Sequence, residues 1–100
     1  MDVNISQNGT KTLVKLSGRL DTTNVAQFQK DIEPLMTMQN PDLEIDCKDM
    51  EYTSSQGLRA FLMLQKSVTK NSGKMVMINM QKLIKDVFNL TGFSNFITIK

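Results

Sequence analysis

Apolar and polar residues alternate in several short stretches of this chain, and apolar residues recur at helical spacing in three longer ones. Val3 to Ser6 and Thr12 to Ser17 read as strands on either side of the turn signal Asn8-Gly9, which predicts an antiparallel hairpin. Val25, Phe28, Ile32, Leu35 and Met36 then mark one face of a helix that either Thr22 or Thr23 could cap. Pro34 falls inside that pattern and is expected to bend the helix or end its regular part. Asn40-Pro41-Asp42 is a turn, and Leu43 to Cys47 alternates as a third strand. Leu58, Phe61, Leu62 and Val68 predict a second helix from Thr53 to about Lys70, stopped near Asn71-Ser72-Gly73. On that helix Ala60, Met63 and Leu64 are expected to project away from the sheet and to leave some apolar surface. Met75 to Asn79 is apolar on both faces and reads as a central strand. Leu83, Ile84, Val87, Phe88 and Leu90 form a third helical stripe, with Gly92 as its stop. Phe96 to Ile99 is either a short last strand or a tail packed on the sheet.

The resulting order is β-β-α-β-α-β-α with a possible final β, an α/β class. A hairpin followed by β-α-β crossovers gives a mixed sheet with helices packed against it, the crossovers being right-handed. At 100 residues the expectation is a single domain, 1–100. In such sheets, sites form beyond the carboxyl ends of the parallel strands. Two segments converge there: Arg19, Asp21 and Thr22 after the second strand, and Thr53, Ser54 and Ser55 after the third.

Composition narrows the chemistry. A net charge of +2, with no basic run, gives no case for nucleic acid. No apolar run is long enough to span a bilayer, so direct membrane insertion is not expected. No signal peptide is apparent at the start, and the lone Cys47 suits a reducing compartment; a cytoplasmic protein is the expectation. Cys47, set in an alternating strand, reads as a buried small hydrophobe. The chain has no histidine, which removes Ser-His and Cys-His pairs and histidine zinc sites. No calcium loop or glycine-rich phosphate loop is present, and no metal or cofactor is expected. A Ser55–Lys66 nucleophile pair is disfavoured, because eleven helical residues separate them.

The most informative stretch is Tyr52-Thr53-Ser54-Ser55-Gln56-Gly57-Leu58, a strand end running into a helix start. Thr53 and Gln56 fit a capping box, with Thr53 as the cap. That arrangement leaves the Ser55 hydroxyl free, and a helix N-terminus tolerates added negative charge. Capping and phosphorylation are therefore compatible readings of the same residues. Arg59 and Lys66, further along the helix, are solvated charges by position and would suit the rim of an acidic partner.

These residues, with Gly18-Arg19-Leu20-Asp21, Ser54-Ser55-Gln56-Gly57-Leu58 and Leu90-Thr91-Gly92-Phe93 in order, resemble the STAS family over nearly the whole chain. Free-standing members of this size resemble bacterial anti-sigma factor antagonists. The resemblance implies a binding module, not an enzyme. It binds an anti-sigma factor serine kinase of GHKL type, releases the sigma factor, and is switched off by phosphorylation of a serine in an Asp-Ser-Ser/Thr-Gly-Leu motif. A phosphatase would reverse the modification. Anchored on Gly57, the resemblance puts the phosphoserine at Ser55, with Ser54 as the less favoured site. Ser54 stands where the family has aspartate, and Gln56 where it has serine or threonine. The partner-binding set implied is Asp21, Thr22, Thr53, Ser54, Gln56, Gly57 and Arg59. The alternative within the family is a non-phosphorylated subunit of a membrane transport ATPase complex.

Overall fold

The computed structural model describes all residues from Met1 to Lys100. In chain order the elements are β1 (Asp2–Asn8), β2 (Lys11–Leu20), α1 (Val25–Met36), β3 (Asp42–Thr53), α2 (Ser55–Lys70), β4 (Lys74–Ile78), α3 (Lys82–Leu90), a 3-10 turn (Phe93–Asn95) and β5 (Thr98–Ile99). The sheet runs β1-β2-β3-β4-β5. β1 and β2 pair antiparallel, and every later pair is parallel. Right-handed crossovers that always advance in the same direction put every helix on the same face of the sheet. The buried strand positions agree: Thr12, Val14, Leu16, Leu43, Ile45, Cys47, Met75 and Met77 face the helices, while on the other face Lys15 is exposed and Glu44, Asp46, Val76 and Ile78 are only partly buried.

The core joins Val14, Leu16, Leu43, Ile45, Cys47, Met75 and Met77 of the strands to Phe28, Ile32 and Leu35 of α1, Leu58, Ala60, Phe61, Leu64 and Val68 of α2, and Ile84 and Phe88 of α3. Phe61 lies at its centre. Its ring meets Phe28 edge-on at 5.3 Å and Phe88 at 6.2 Å between centroids. Aromatic pairs at these separations add to what area burial alone supplies.

Several boundaries differ from the sequence expectation, each for a physical reason. β3 extends past Cys47 to Thr53 because its buried residues then step by three, Cys47, Met50 and Thr53. Two register shifts against β2 cause this, between Lys15 and Ser17 and between Gly18 and Arg19. Each inserts an extra β3 residue and breaks the period of two. Gly18 sits at the second shift with φ of 97°, a conformation open to glycine and strained for other residues. α1 begins after Asn24, not after Thr22 or Thr23, and Asn24 makes no side-chain cap. Pro34 is accommodated within α1, which ends two residues later at Met36. β4 is interior but not central. Val76 and Ile78 lie on the open face, and its outer neighbour is the two-residue β5.

On α2, Ala60 and Leu64 are buried; of the three residues expected to face outward, only Met63 does, at 57% exposure. On α3 only Ile84 and Phe88 reach the core, whereas Leu83 and Leu90 are 80% and 87% exposed. Cys47 is fully buried, and burial, followed by the nearby Asp46 charge, pushes its thiol pKa up to about 12. The unfolded chain loses this proton above pH 9.0 and the native chain keeps it to about 12. Stability therefore falls as pH rises through that window. At pH 8 the native protein is expected to resist a thiol-labelling reagent that reacts at once with the urea-unfolded chain. Rapid native labelling would contradict the burial.

Candidate functional site

Two chain segments meet beyond the carboxyl ends of β2 and β3. Leu20 and Thr53 are register partners, and the Ser54 N–H donates to the Leu20 carbonyl at 2.8 Å. This backbone bond ties the Asp21–Asn24 turn to the start of α2. The convergence expected from sequence is therefore present.

The first turn is held by its own side chains. The Asp21 carboxylate accepts from the Thr23 N–H at 3.0 Å and from the Thr23 hydroxyl at 2.5 Å. Asn24 accepts from the Asp21 N–H at 2.9 Å and donates to the Arg19 carbonyl at 2.8 Å. The Thr23 hydroxyl bond, reinforced by the Thr23 N–H, holds the Asp21 carboxyl below its ordinary pKa. Asp21 is thus a fixed negative charge at neutral pH. Thr22, at the tip, is exposed.

The second segment corrects the capping assignment. Ser54, not Thr53, caps α2: its hydroxyl accepts from the Gly57 N–H at 3.2 Å. Thr53 is the last core-facing residue of β3, only 8% exposed, and its hydroxyl donates to the Ser54 carbonyl. The capping box fails because a cap at Ser54 puts glycine at the third helical position. Gln56 is the second, and it is exposed. Ser55 becomes the first residue of α2, exposed, with its hydroxyl outside the capping bonds. The helix N-terminus next to it favours negative charge.

Of the residues expected to bind a partner, Thr22, Gln56 and Arg59 are exposed, and Asp21 and Ser54 are half-buried. Thr53 and Gly57 are buried and shape the edge from beneath. Asp49 and Glu51 lie on β3 itself, and Asp49 pairs with Lys15 at 3.7 Å. Tyr52 opens the most informative stretch of the sequence, which assigns it no role of its own. Its ring lies under the Arg19 guanidinium at 4.4 Å, a cation–π contact beside the two turns. Arg19 and Tyr52 are partners across the parallel β2–β3 pair. That relation depends on both register shifts, so no local motif could have disclosed it.

None of the three surface depressions is lined by Asp21, Ser54 or Ser55. The edge is a surface without a pocket, a shape suited to a macromolecule more than to a small substrate. Lys66 lies eleven residues along α2 from Ser55, about 16 Å away by helical rise, which is out of reach of its hydroxyl. No group of acidic or sulfur side chains is placed to hold a metal ion. No helix is long and apolar enough to cross a membrane.

The family model described as STAS domain matches residues 2–100. A relative from Bacillus subtilis, named anti-sigma-B factor antagonist, is 29% identical over 99 residues, covering 99% of this chain and 90% of that protein. Among solved structures, an anti-sigma-factor antagonist (STAS) domain protein from Planctomyces limnophilus superposes with a TM-score of 0.88 at 16% identity, over 99% of this chain and 89% of that one. The Bacillus cell fate determinant SpoIIAA in its phosphorylated form superposes with a TM-score of 0.72 at 14% identity, over 99% and 91%.

Proposed function

The chain belongs to the STAS domain family, and from that premise we propose that it is an anti-sigma factor antagonist. One observation carries the reading. The Ser55 hydroxyl stands exposed at the first position of α2 while Ser54 does the capping, so Ser55 can be modified without unmaking the helix start. The Bacillus subtilis relative named anti-sigma-B factor antagonist supports the same role.

In this reading the unphosphorylated edge docks on an anti-sigma factor serine kinase of GHKL type through Asp21, Thr22, Ser54, Gln56 and Arg59. Docking frees the sigma factor. The kinase transfers the γ-phosphoryl group of ATP to Ser55. A P–O bond forms at Oγ, the bond to the departing ADP breaks, and the hydroxyl proton leaves to a base on the kinase or to water. The product carries about 1.5 to 2 extra negative charges at pH 7. A surface shaped for a neutral hydroxyl then meets a bulky, hydrated anion beside the existing Asp21 charge. Affinity falls while the fold stays the same. A phosphatase restores the docking form. The chain itself carries out no catalysis in this scheme.

The test is binding of the host's anti-sigma factor kinase by calorimetry. Ser55→Ala should bind like the parent. Ser55→Asp should bind at least about tenfold more weakly, a difference of about 1.4 kcal/mol. Equal affinities for the two variants, both folded, would remove the switch. Ser54 stands in place of the family's aspartate, which keeps one rival reading in play, a subunit of a transport ATPase complex. Recovery of a transport ATPase with the tagged chain, and of no kinase, would favour that rival.

A further inference from the structure

α2 carries an exposed guanidinium one turn beyond the exposed Ser55 hydroxyl. Ser55 is the first residue of the helix and Arg59 the fifth. Residues four apart share a helix face, with about 5–6 Å between their Cβ atoms. Helical side chains lean toward the N-terminus, so an arginine reaches back over the residue four before it. Arg19, the other arginine near this edge, is already stacked on Tyr52. Arg59 takes part in neither of the two salt bridges of the molecule nor in the cation–π contact. It is thus a cation without a partner in the molecule, one helical turn from the residue proposed to carry the phosphate.

We propose that Arg59 is shared between two mutually exclusive anions, a carboxylate of the docked partner when Ser55 is free and the Ser55 phosphate when it is modified. This rests on the reading of Ser55 as the switch. The planar fork of arginine matches either anion with paired hydrogen bonds. Phosphorylation then acts twice. It places a charged group in the interface, and it withdraws the cation that the partner had used. The inference commits the partner to an acidic group facing the first turn of α2.

The decisive comparison uses full-length chain with phosphoserine installed at residue 55 during translation, with Arg59 present or replaced in Arg59→Gln. Phosphate ionisation is followed by phosphorus NMR. The parent phosphate should titrate about 0.3 pH units below that of the variant, the shift expected for an opposite-charge pair at this spacing. Identical titrations would overturn the intramolecular pair. Kinase binding supplies the second half. Arg59→Gln should weaken the unphosphorylated complex about threefold to tenfold. It should also shrink the affinity ratio between unphosphorylated and phosphorylated chains. An unchanged ratio would overturn the sharing. Because phosphate is installed without a kinase, the NMR result stands even if Ser55 proves not to be modified by the partner. Equal binding of Ser55→Ala and Ser55→Asp would fail the switch reading instead, a separate outcome. Arg59→Lys, which keeps charge but loses the fork, should fall between parent and Arg59→Gln in both measurements.

Discussion

Phe61→Ala is expected to destabilise the protein by about 3–5 kcal/mol, the usual cost of emptying a buried phenylalanine site. Phe61 has no exposed surface and bridges the rings of Phe28 and Phe88. It therefore joins α1, α2 and α3 at one point over the sheet. The space left by its ring would be walled by residues that are themselves anchored, so collapse should be small and the cost should lie in the upper part of the range. Domains of this size have about 5–15 kcal/mol of stability in total. A loss of that order should lower Tm by more than about 10 °C. Urea unfolding should show an earlier midpoint with little change in slope. Met63→Ala, on the same helix but 57% exposed, is the control and should change stability by less than about 1 kcal/mol. A Phe61→Ala loss no larger than the control would mean that the three helices do not share one core.

Much of this architecture was legible because the strands and helices keep their own periods. Thr12 to Ser17 and Leu43 to Cys47 alternate, and the order of elements follows from those patterns alone. Where the structure departs from the sequence pattern, there are two physical sources. The first is register. The β2–β3 irregularities turn a period of two into a period of three, so Met50 and Thr53 did not register as strand residues. That same shift turned Thr53 inward. The Thr53-x-x-Gln56 signature looked like a capping box, yet the threonine side chain was already committed to the core. The cap moved one residue to Ser54 and made Ser55 the first residue of the helix. The second source is lateral cover. Periodicity marks an apolar stripe but not how wide a face the neighbours cover. Ala60 and Leu64 are buried, and Leu83 and Leu90 are not.

The site was readable to a similar depth. Its two segments each follow a strand of the parallel pair, and that topology alone brings them together. What could not be read was the detail that depends on exact pairing. The Arg19–Tyr52 stack needs both register shifts, and the burial of Gly57 needs the end of β2 lying against the first turn of α2.

That burial gives the second large expectation. Gly57→Ala should destabilise the fold by up to about 2 kcal/mol although alanine is the better helix former. The helical gain is about 1 kcal/mol. Against it, a methyl at this position would overlap the Thr53 hydroxyl oxygen and would lie 2.8 Å from Leu20 Cδ2 and 2.9 Å from Leu20 Cγ. A branch-point carbon of a fully buried leucine cannot swing clear, and Thr53 is nearly as enclosed. Overpacking of this kind costs about 1–3 kcal/mol. The clash is expected to prevail and to be relieved partly by lifting the first turn of α2 away from Leu20 and Thr53. Ser54 and Ser55 ride on that turn, so partner affinity should fall with stability. Truncating the obstruction tests the cause. In the Leu20→Ala background the added cost of Gly57→Ala should be smaller than in the parent, because both crowding carbons, Cγ and Cδ2, have been removed. If Gly57→Ala instead raises Tm, the end of β2 does not press on α2, and the placement of Ser55 must depend on its cap alone.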